Sequence, residues 1–127
     1  MKKIIFTPNA PNAIGPYSQA VQVGNMLYLS GQIAIDPSSS TLITGDVERE
    51  TQQVMENIGA VLDSQGLGYE HIVKTSIFLK DMDDFGIVNE IYGSYFTHDF
   101  PARETVQVAR LPKDVSVEIS VIAVATL

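Results

Sequence analysis

The chain of 127 residues contains no cysteine. Disulfide bonds, a thiolate nucleophile and a thiolate metal site are therefore excluded. It also lacks any apolar run long enough to cross a membrane, and the apolar stretch after Lys2 and Lys3 is too short for the core of a secretory signal peptide. These absences predict a soluble cytoplasmic protein.

Positive charge is scarce as well. Eight Lys and Arg residues stand against fifteen Asp and Glu, and the resulting net charge of −7 is not offset by any basic cluster. Such a surface repels polyphosphate, so the sequence argues against a nucleic-acid partner. A small anionic substrate remains compatible, because a single arginine can bind a carboxylate within an acidic protein.

The length fits one domain, residues 1–127, that can bury a core but gains from oligomer contacts. The turn dipeptide Gly24-Asn25 predicts a hairpin of strands 18–23 and 26–30. Asp46 is placed to cap a helix with apolar residues at helical spacing, ending near Gly66 and Gly68.

Further along, residues 72–80 alternate as a strand. Asp83 or Asp84 can then cap a second helix, which carries apolar residues at Phe85, Val88, Tyr92, Tyr95 and Phe96. Helices between strands predict an α+β fold, with a sheet layered by helices on one face.

The most informative segment begins at Pro101-Ala102-Arg103. Two alternating stretches, 103–109 and 115–123, flank the turn-like residues Leu111-Pro112-Lys113-Asp114, which predicts a hairpin. In the second stretch Glu118 lies on the polar face, because its neighbours Val117 and Ile119 belong to the apolar face.

A symmetric turn would place Gln107 opposite Glu118 and Thr105 opposite Ser120. Arg103 would then lie on the same face as Glu118, at a distance of ~13 Å. Either the two charges are simply solvated, or they line one cleft with a ligand or water between them.

Metal-binding motifs are not evident. Helix capping explains Asp81, Asp83 and Asp84 better than metal ligation does, and neither His71 nor His98 has a second ligand at a known spacing. We expect no metal.

Four blocks of sequence, in order from end to end, resemble the Rid family of reactive-intermediate deaminases, known also by its YjgF member and by an older label of translation inhibitor or endoribonuclease. The blocks are Ala13-Ile14-Gly15-Pro16-Tyr17-Ser18, Leu29-Ser30-Gly31-Gln32-Ile33, residues 74–89 and residues 101–124. Together they cover nearly the whole chain, which makes the resemblance far more specific than Pro-Ala-Arg alone.

The resemblance implies a chorismate-mutase-like fold, with a mixed sheet and two helices on one face, assembled as a trimer with ligand clefts between subunits. It implies hydrolysis of 2-imino or enamine acids, such as those from dehydration of Ser or Thr, to 2-keto acids and ammonia. Orientation by an arginine and one general acid/base can suffice for an electrophilic imine, so no cofactor is expected.

It also assigns roles to individual residues. Arg103 matches the arginine that binds the substrate carboxylate, Glu118 the carboxylate that positions or activates water, and Tyr17 the phenol lining the cleft. Further pocket positions are matched by Ser30, Gly31, Asn89 and the backbone of Thr105.

The chain departs from the family pattern in two places. Many relatives have Ser-Cys after the arginine, where this chain has Glu104-Thr105, and the connection at residues 98–100 is shorter than in some members. Both departures concern substrate range more than reaction type. Two alternatives remain: a non-catalytic regulator that binds 2-keto acids, and a ribonuclease or translation inhibitor, against which the charge argues.

Overall fold

The computed structural model describes residues 1–126. It contains eight strands and two α-helices of these bounds: β1 Lys3–Ile5, β2 Ala20–Val23, β3 Met26–Leu29, β4 Ile35–Asp36, β5 Thr41–Leu42, α1 Val47–Asp63, β6 Ile72–Leu79, α2 Phe85–Gly93, β7 Ala102–Gln107 and β8 Val117–Val124.

Six strands form one mixed sheet in the order β1-β2-β3-β8-β6-β7, and β4 pairs with β5 separately. All neighbours in the large sheet are antiparallel except β6 and β7, which are parallel. Helix α1 packs on β8 and α2 packs on α1. The predicted α+β class, with a mixed sheet and two helices, is confirmed.

The first predicted hairpin and the first predicted helix are confirmed. Strands β2 and β3 meet at Gly24, whose φ of +60° suits the left-handed turn conformation. The Asp46 side chain accepts hydrogen bonds from the backbone of Glu48 and Arg49 and so caps α1. The chain leaves the helix through Gly66, at a φ of +72°.

The second helix differs from its prediction. Asp84 occupies the N-cap position of α2, as one of the two options had it, but its side chain makes no capping hydrogen bond. The Asp81 carboxylate instead accepts from the Asp83 backbone at 2.9 Å and caps a short 3-10 turn that leads into α2. Helix α2 ends at Gly93, so Tyr95 and Phe96 pack beyond it.

The predicted hairpin of the last two strands is wrong. Strand β6 lies between β7 and β8 and pairs with both, so that Phe78 is opposite Val106 on one side and Glu118 on the other. The connection at residues 108–116 has turn composition, but it crosses the end of β6 instead of folding back on β7. Turn composition indicates a change of direction and does not identify the partner strand.

The sheet has one face covered by helices and one without. Thr75, Ile77 and Ile119 are buried on the helix-covered face. The helix-free face is the opposite one, which carries Phe78 and Glu118. This face also exposes large apolar side chains, namely those of Ile4, Val23, Tyr28 and Val106.

Candidate active site

Glu118 projects from the helix-free face of β8 into a cavity of about 470 Å³, which we call the Glu118 cleft. Its wall contains three further residues predicted from the sequence, Tyr17, Ser30 and Gly31. The remaining lining residues are Pro11, Asn12, Ile14, Gln19, Gln32, Ile33, Ile35, Pro112 and Lys113. The cleft therefore combines one carboxylate with a largely apolar wall.

Gly31 lies directly against the carboxylate. A Cβ atom at this position would be 2.6 Å from Oε2 of Glu118 and 2.9 Å from its Cδ, so only glycine permits this approach. The backbone next to it is fixed, because Gln32 and Ile119 exchange hydrogen bonds of 2.8 and 3.1 Å. Main-chain bonding thus holds the wall of the cleft against Glu118.

Burial raises the pKa of the Glu118 carboxyl. No donor within residues 1–126 hydrogen-bonds this carboxylate, and no cation offsets the loss of solvent. The raised pKa lies closer to neutral pH than that of an ordinary carboxyl, and a group with such a pKa can both accept and return a proton. Glu118 is therefore suited to general acid/base chemistry.

The two hydroxyl groups in this wall differ in their availability. The Ser30 hydroxyl donates to the Ser18 carbonyl at 2.6 Å and so is bound to the protein's own backbone. The Tyr17 hydroxyl accepts from the Ile14 backbone at 3.3 Å, while its side chain is about half exposed at 52%. Tyr17 thus retains a donor proton for a ligand.

Gln19 was not predicted and organises the same wall. This buried amide donates to the carbonyls of Thr7, Ala10 and Pro11 at 3.0, 3.3 and 2.9 Å, and accepts from the Thr7 backbone at 2.7 Å. It therefore fixes the irregular segment that borders the cleft. A single glutamine before a strand carries no sequence signal for this role.

Arg103 lies in a different cavity, of about 460 Å³, which we call the Arg103 cleft. It is lined by Asn89, Tyr92, Gly93, Phe100, Pro101 and Arg103. Nη1 of Arg103 donates to Oδ1 of Asn89 at 2.7 Å, and the guanidinium carbon lies 5.4 Å from the Tyr92 ring centre and 5.7 Å from that of Phe85. These contacts are typical of a cation held over aromatic rings.

Tyr92 is itself anchored. Its ring is almost fully buried, and its hydroxyl donates to Oγ1 of Thr75 at 2.9 Å. The aromatic stripe of α2 was predicted from the sequence, but its contact with Arg103 was not. Helical spacing places Phe85 and Tyr92 on one face and says nothing about which strand that face meets.

The residues after Arg103 point in alternate directions. Glu104 faces away from the Arg103 cleft, where it pairs with Lys74 at 2.8 Å and accepts from Ser76. These two partners, Lys74 first, lower the pKa of the Glu104 carboxyl. Thr105 lies on the side of Ile77, and its buried hydroxyl has no partner within residues 1–126.

The expectation that Arg103 and Glu118 share one face is wrong. Arg103 is in register with Thr75 on the helix-covered face, whereas Glu118 is in register with Phe78 on the helix-free face. The insertion of β6 causes this, since it changes the register that a hairpin would have given. One chain therefore carries two separate clefts, Tyr17, Ser30, Gly31 and Glu118 in one, Asn89 and Arg103 in the other.

Within residues 1–126, no three His, Asp or Glu side chains come together in a way that could hold a metal ion. Neither helix in this range is long and apolar enough to span a bilayer.

The chain is similar to known proteins over almost its entire length. A family model described as endoribonuclease L-PSP matches residues 7–125, almost the entire chain. The chain belongs to the Rid family. This family, also called YjgF or RutC, includes a mouse protein named 2-iminobutanoate/2-iminopropanoate deaminase, which is 51% identical over 98% of this chain and 92% of its own length.

Other Rid relatives are similar over nearly the whole chain. A RutC family protein of Pyrococcus horikoshii is 50% identical over 97% of this chain and 98% of its own. Among solved structures, the Rid protein YyfA of Yersinia pestis has a TM-score of 0.95 at 50% identity, covering 98% and 99% of the two chains. Escherichia coli TdcF, solved with bound serine, has a TM-score of 0.91 at 43% identity, covering 96% and 98%.

Proposed function

We propose that this Rid protein is a 2-iminobutanoate/2-iminopropanoate deaminase that converts 2-imino acids to 2-keto acids and ammonia. The observation that carries the proposal is the half-buried Glu118 carboxyl with a raised pKa, in a cleft of ligand size. The name of the mouse relative supports the same reaction. Arg103, a guanidinium in its own cleft, supplies the complementary charge for a substrate carboxylate.

In the proposed reaction, Arg103 binds the α-carboxylate and Glu118 accepts a proton from water. The water oxygen forms a bond to the imine carbon as the π electrons of the carbon–nitrogen double bond move to nitrogen, and Glu118 passes the water proton to that nitrogen, which gives a carbinolamine. Glu118 then takes the proton of the carbinolamine hydroxyl and delivers it to the amino nitrogen, so that the keto group forms as the carbon–nitrogen bond breaks and ammonia leaves. The Tyr17 hydroxyl orients the polar atoms of the substrate, and Ser30, Gly31, Asn89 and the Thr105 backbone complete the pocket.

The separation of the two clefts supports a site shared between subunits. We propose a homotrimer in which the Glu118 cleft of one copy meets the Arg103 cleft of the next. The exposed apolar side chains of the helix-free face, such as Tyr28 and Val106, support this assembly, because such a patch is typical of an interface. Light scattering should report three copies per particle.

A subunit-mixing experiment tests the shared site. The variants Arg103→Ala and Glu118→Gln are each expected to be inactive alone. The two variants are mixed in equal amounts, unfolded and refolded together, so that they assemble at random into closed trimers. About one quarter of the sites should then combine an intact arginine from one copy with an intact glutamate from the next. Recovery of imine hydrolysis supports the proposal, and no recovery despite mixed trimers rules out the shared site.

We further propose that the reaction needs no metal and no organic cofactor, since a carboxylate and an arginine suffice for an electrophilic imine. Prolonged chelation should leave ammonia release from freshly generated imino acids unchanged. Activity that is lost on chelation and returns with a divalent ion would refute this mechanism.

A further inference from the structure

The Glu118 cleft extends beyond the carboxylate. A second cavity, of about 550 Å³, shares five wall residues with it, Pro11, Asn12, Ile14, Ile35 and Lys113. The two cavities therefore meet along these residues. Since each alone has the size of a site for a much larger ligand, a four-carbon imino acid leaves most of the combined space unfilled.

The wall of the second cavity is mainly apolar and stiff. Its residues outside the shared set are Pro8, Ala10, Pro37, Ser40 and Leu42. Proline contributes a fixed backbone angle and no N–H donor, so these residues, apart from the Ser40 hydroxyl, present apolar surface. This wall suits methylene groups of a substrate side chain.

Lys113 is the one cation in the wall of either cavity, and the second cavity has no other charge. Within residues 1–126, no carboxylate lies within ion-pair distance of its ammonium group. Burial alone raises the pKa of Glu118, so the ammonium group does not neutralise that carboxylate either. The charge of Lys113 is thus available to a ligand.

The backbone around Lys113 is held in an unusual conformation. Lys113 and Asp114 have φ values of 55° and 56°, in the left-handed region that non-glycine residues seldom adopt. Lys80 pairs with Asp114 at 3.0 Å, and the buried Glu50 carboxylate accepts from the Ser116 backbone at 3.1 Å. Strain of this kind persists where the surroundings enforce it, often at ligand sites.

We propose that Lys113 is a specificity-determining residue that binds the second carboxylate of 2-imino dicarboxylic acids. The α-carboxylate and imine lie at the main site, the side-chain methylenes lie against Pro11 and Pro112, and the distal carboxylate meets the ammonium group where the cavities join. The inference rests on the proposed function, because it names the substrate class of the same site.

Product binding tests the inference without turnover. The probes are 2-oxoglutarate, its counterpart without the distal carboxylate, 2-oxohexanoate, and the short 2-oxobutanoate, each titrated calorimetrically at low salt. We expect 2-oxoglutarate to bind more tightly than 2-oxohexanoate, with a difference that shrinks as salt is added, because an accessible ion pair is screened.

Three variants isolate the role of the charge. Lys113→Met keeps most of the side chain's length without its charge. It should weaken the binding of 2-oxoglutarate about two- to fivefold, the range of an accessible ion pair, and leave the binding of 2-oxobutanoate unchanged. Lys113→Arg should keep the preference. Lys2→Met is the matched control, since it removes one positive charge from a residue outside both cavities.

The inference is overturned if Lys113→Met leaves 2-oxoglutarate binding unchanged, weakens all three probes equally, or does no more than Lys2→Met. A parallel assay of imines generated in place by amino acid oxidases separates the two proposals. If no imine is hydrolysed faster than in buffer, the deaminase proposal falls, while the binding comparison still decides the role of Lys113.

Discussion

The Glu118 cleft and the Arg103 cleft position their charged groups by different means. Glu118 has no hydrogen-bond donor within residues 1–126 and is confined by the shape of the backbone at Gly31. Arg103 is held by side chains of α2, through a hydrogen bond to Asn89 and contacts with two aromatic rings. The position of the Glu118 carboxylate should therefore be disturbed by one methyl group added at Gly31. The position of Arg103 should instead depend on the planar shape of its own guanidinium.

The largest effect is expected from Glu118→Gln. The amide keeps the size of the side chain but cannot accept the proton of water, so imine hydrolysis should fall by about two to four powers of ten. Binding of 2-oxobutanoate should persist, because Arg103 is intact. Unchanged turnover would instead favour a 2-keto-acid-binding regulator.

Arg103→Lys tests the other cleft. An ammonium group cannot present the two parallel donors of a guanidinium, nor a flat face to the rings of Tyr92 and Phe85. We expect a loss of roughly 2 to 5 kcal/mol in transition-state binding, with fold and oligomer retained. If Arg103→Lys hydrolysed imines at the parent rate, Arg103 would be an ordinary strand residue without a role in the reaction.

Gly31→Ala tests confinement by the backbone. The added methyl group must displace the Glu118 carboxylate, and we expect kcat/KM for imine hydrolysis to fall roughly ten- to a hundredfold. Gly86→Ala is the matched control, since a Cβ at this helical position meets nothing within 4 Å. It should leave activity unchanged and raise stability by about 0.5 to 1 kcal/mol.

The raised pKa of Glu118 also predicts how stability depends on pH. The folded protein holds this proton more tightly than the unfolded chain, so the ionised carboxylate destabilises the fold at neutral pH. Glu118→Gln should therefore melt at a higher temperature than the parent at pH 7. The difference should vanish below the pKa of the unfolded chain, and thermal unfolding across this range checks it.

The smallest effect on activity is expected from Tyr92→Phe. The ring over Arg103 remains and only the hydrogen bond to Thr75 is lost, so turnover should change less than twofold while stability falls by about 1 kcal/mol. A double-mutant cycle with Thr75→Val isolates this bond. A large loss of activity would mean that the hydroxyl, and not the ring, positions Arg103.

Local structure could be predicted well from the sequence, and pairing between distant strands could not. The α1 cap at Asp46 and the β2–β3 turn at Gly24 depend on neighbouring residues, so propensity and spacing are sufficient for them. The placement of β6 between β7 and β8 depends on contacts across the whole chain. For that reason the sequence predicted the candidate residues one by one, but it did not predict that Arg103 and Glu118 lie on opposite faces of the sheet.

The hydrogen bonds of Gln19 and the left-handed backbone at Lys113 could not be predicted from the sequence either. Both involve irregular segments, where no period in the sequence marks which polar groups will be buried or which residue will be strained. Gly31 was predicted as a pocket position, but its close approach to Glu118 depends on the bridge between Gln32 and Ile119.

The central place of β8 also bears on biosynthesis. This strand pairs with β3 on one side and β6 on the other, although both are translated well before it. During synthesis β3 and β6 therefore each expose an unpaired edge and an uncovered apolar face until β8 inserts between them. Such edges are templates for association with other chains, so the nascent protein is most prone to aggregation, and most in need of a chaperone, just before Val117–Val124 emerges.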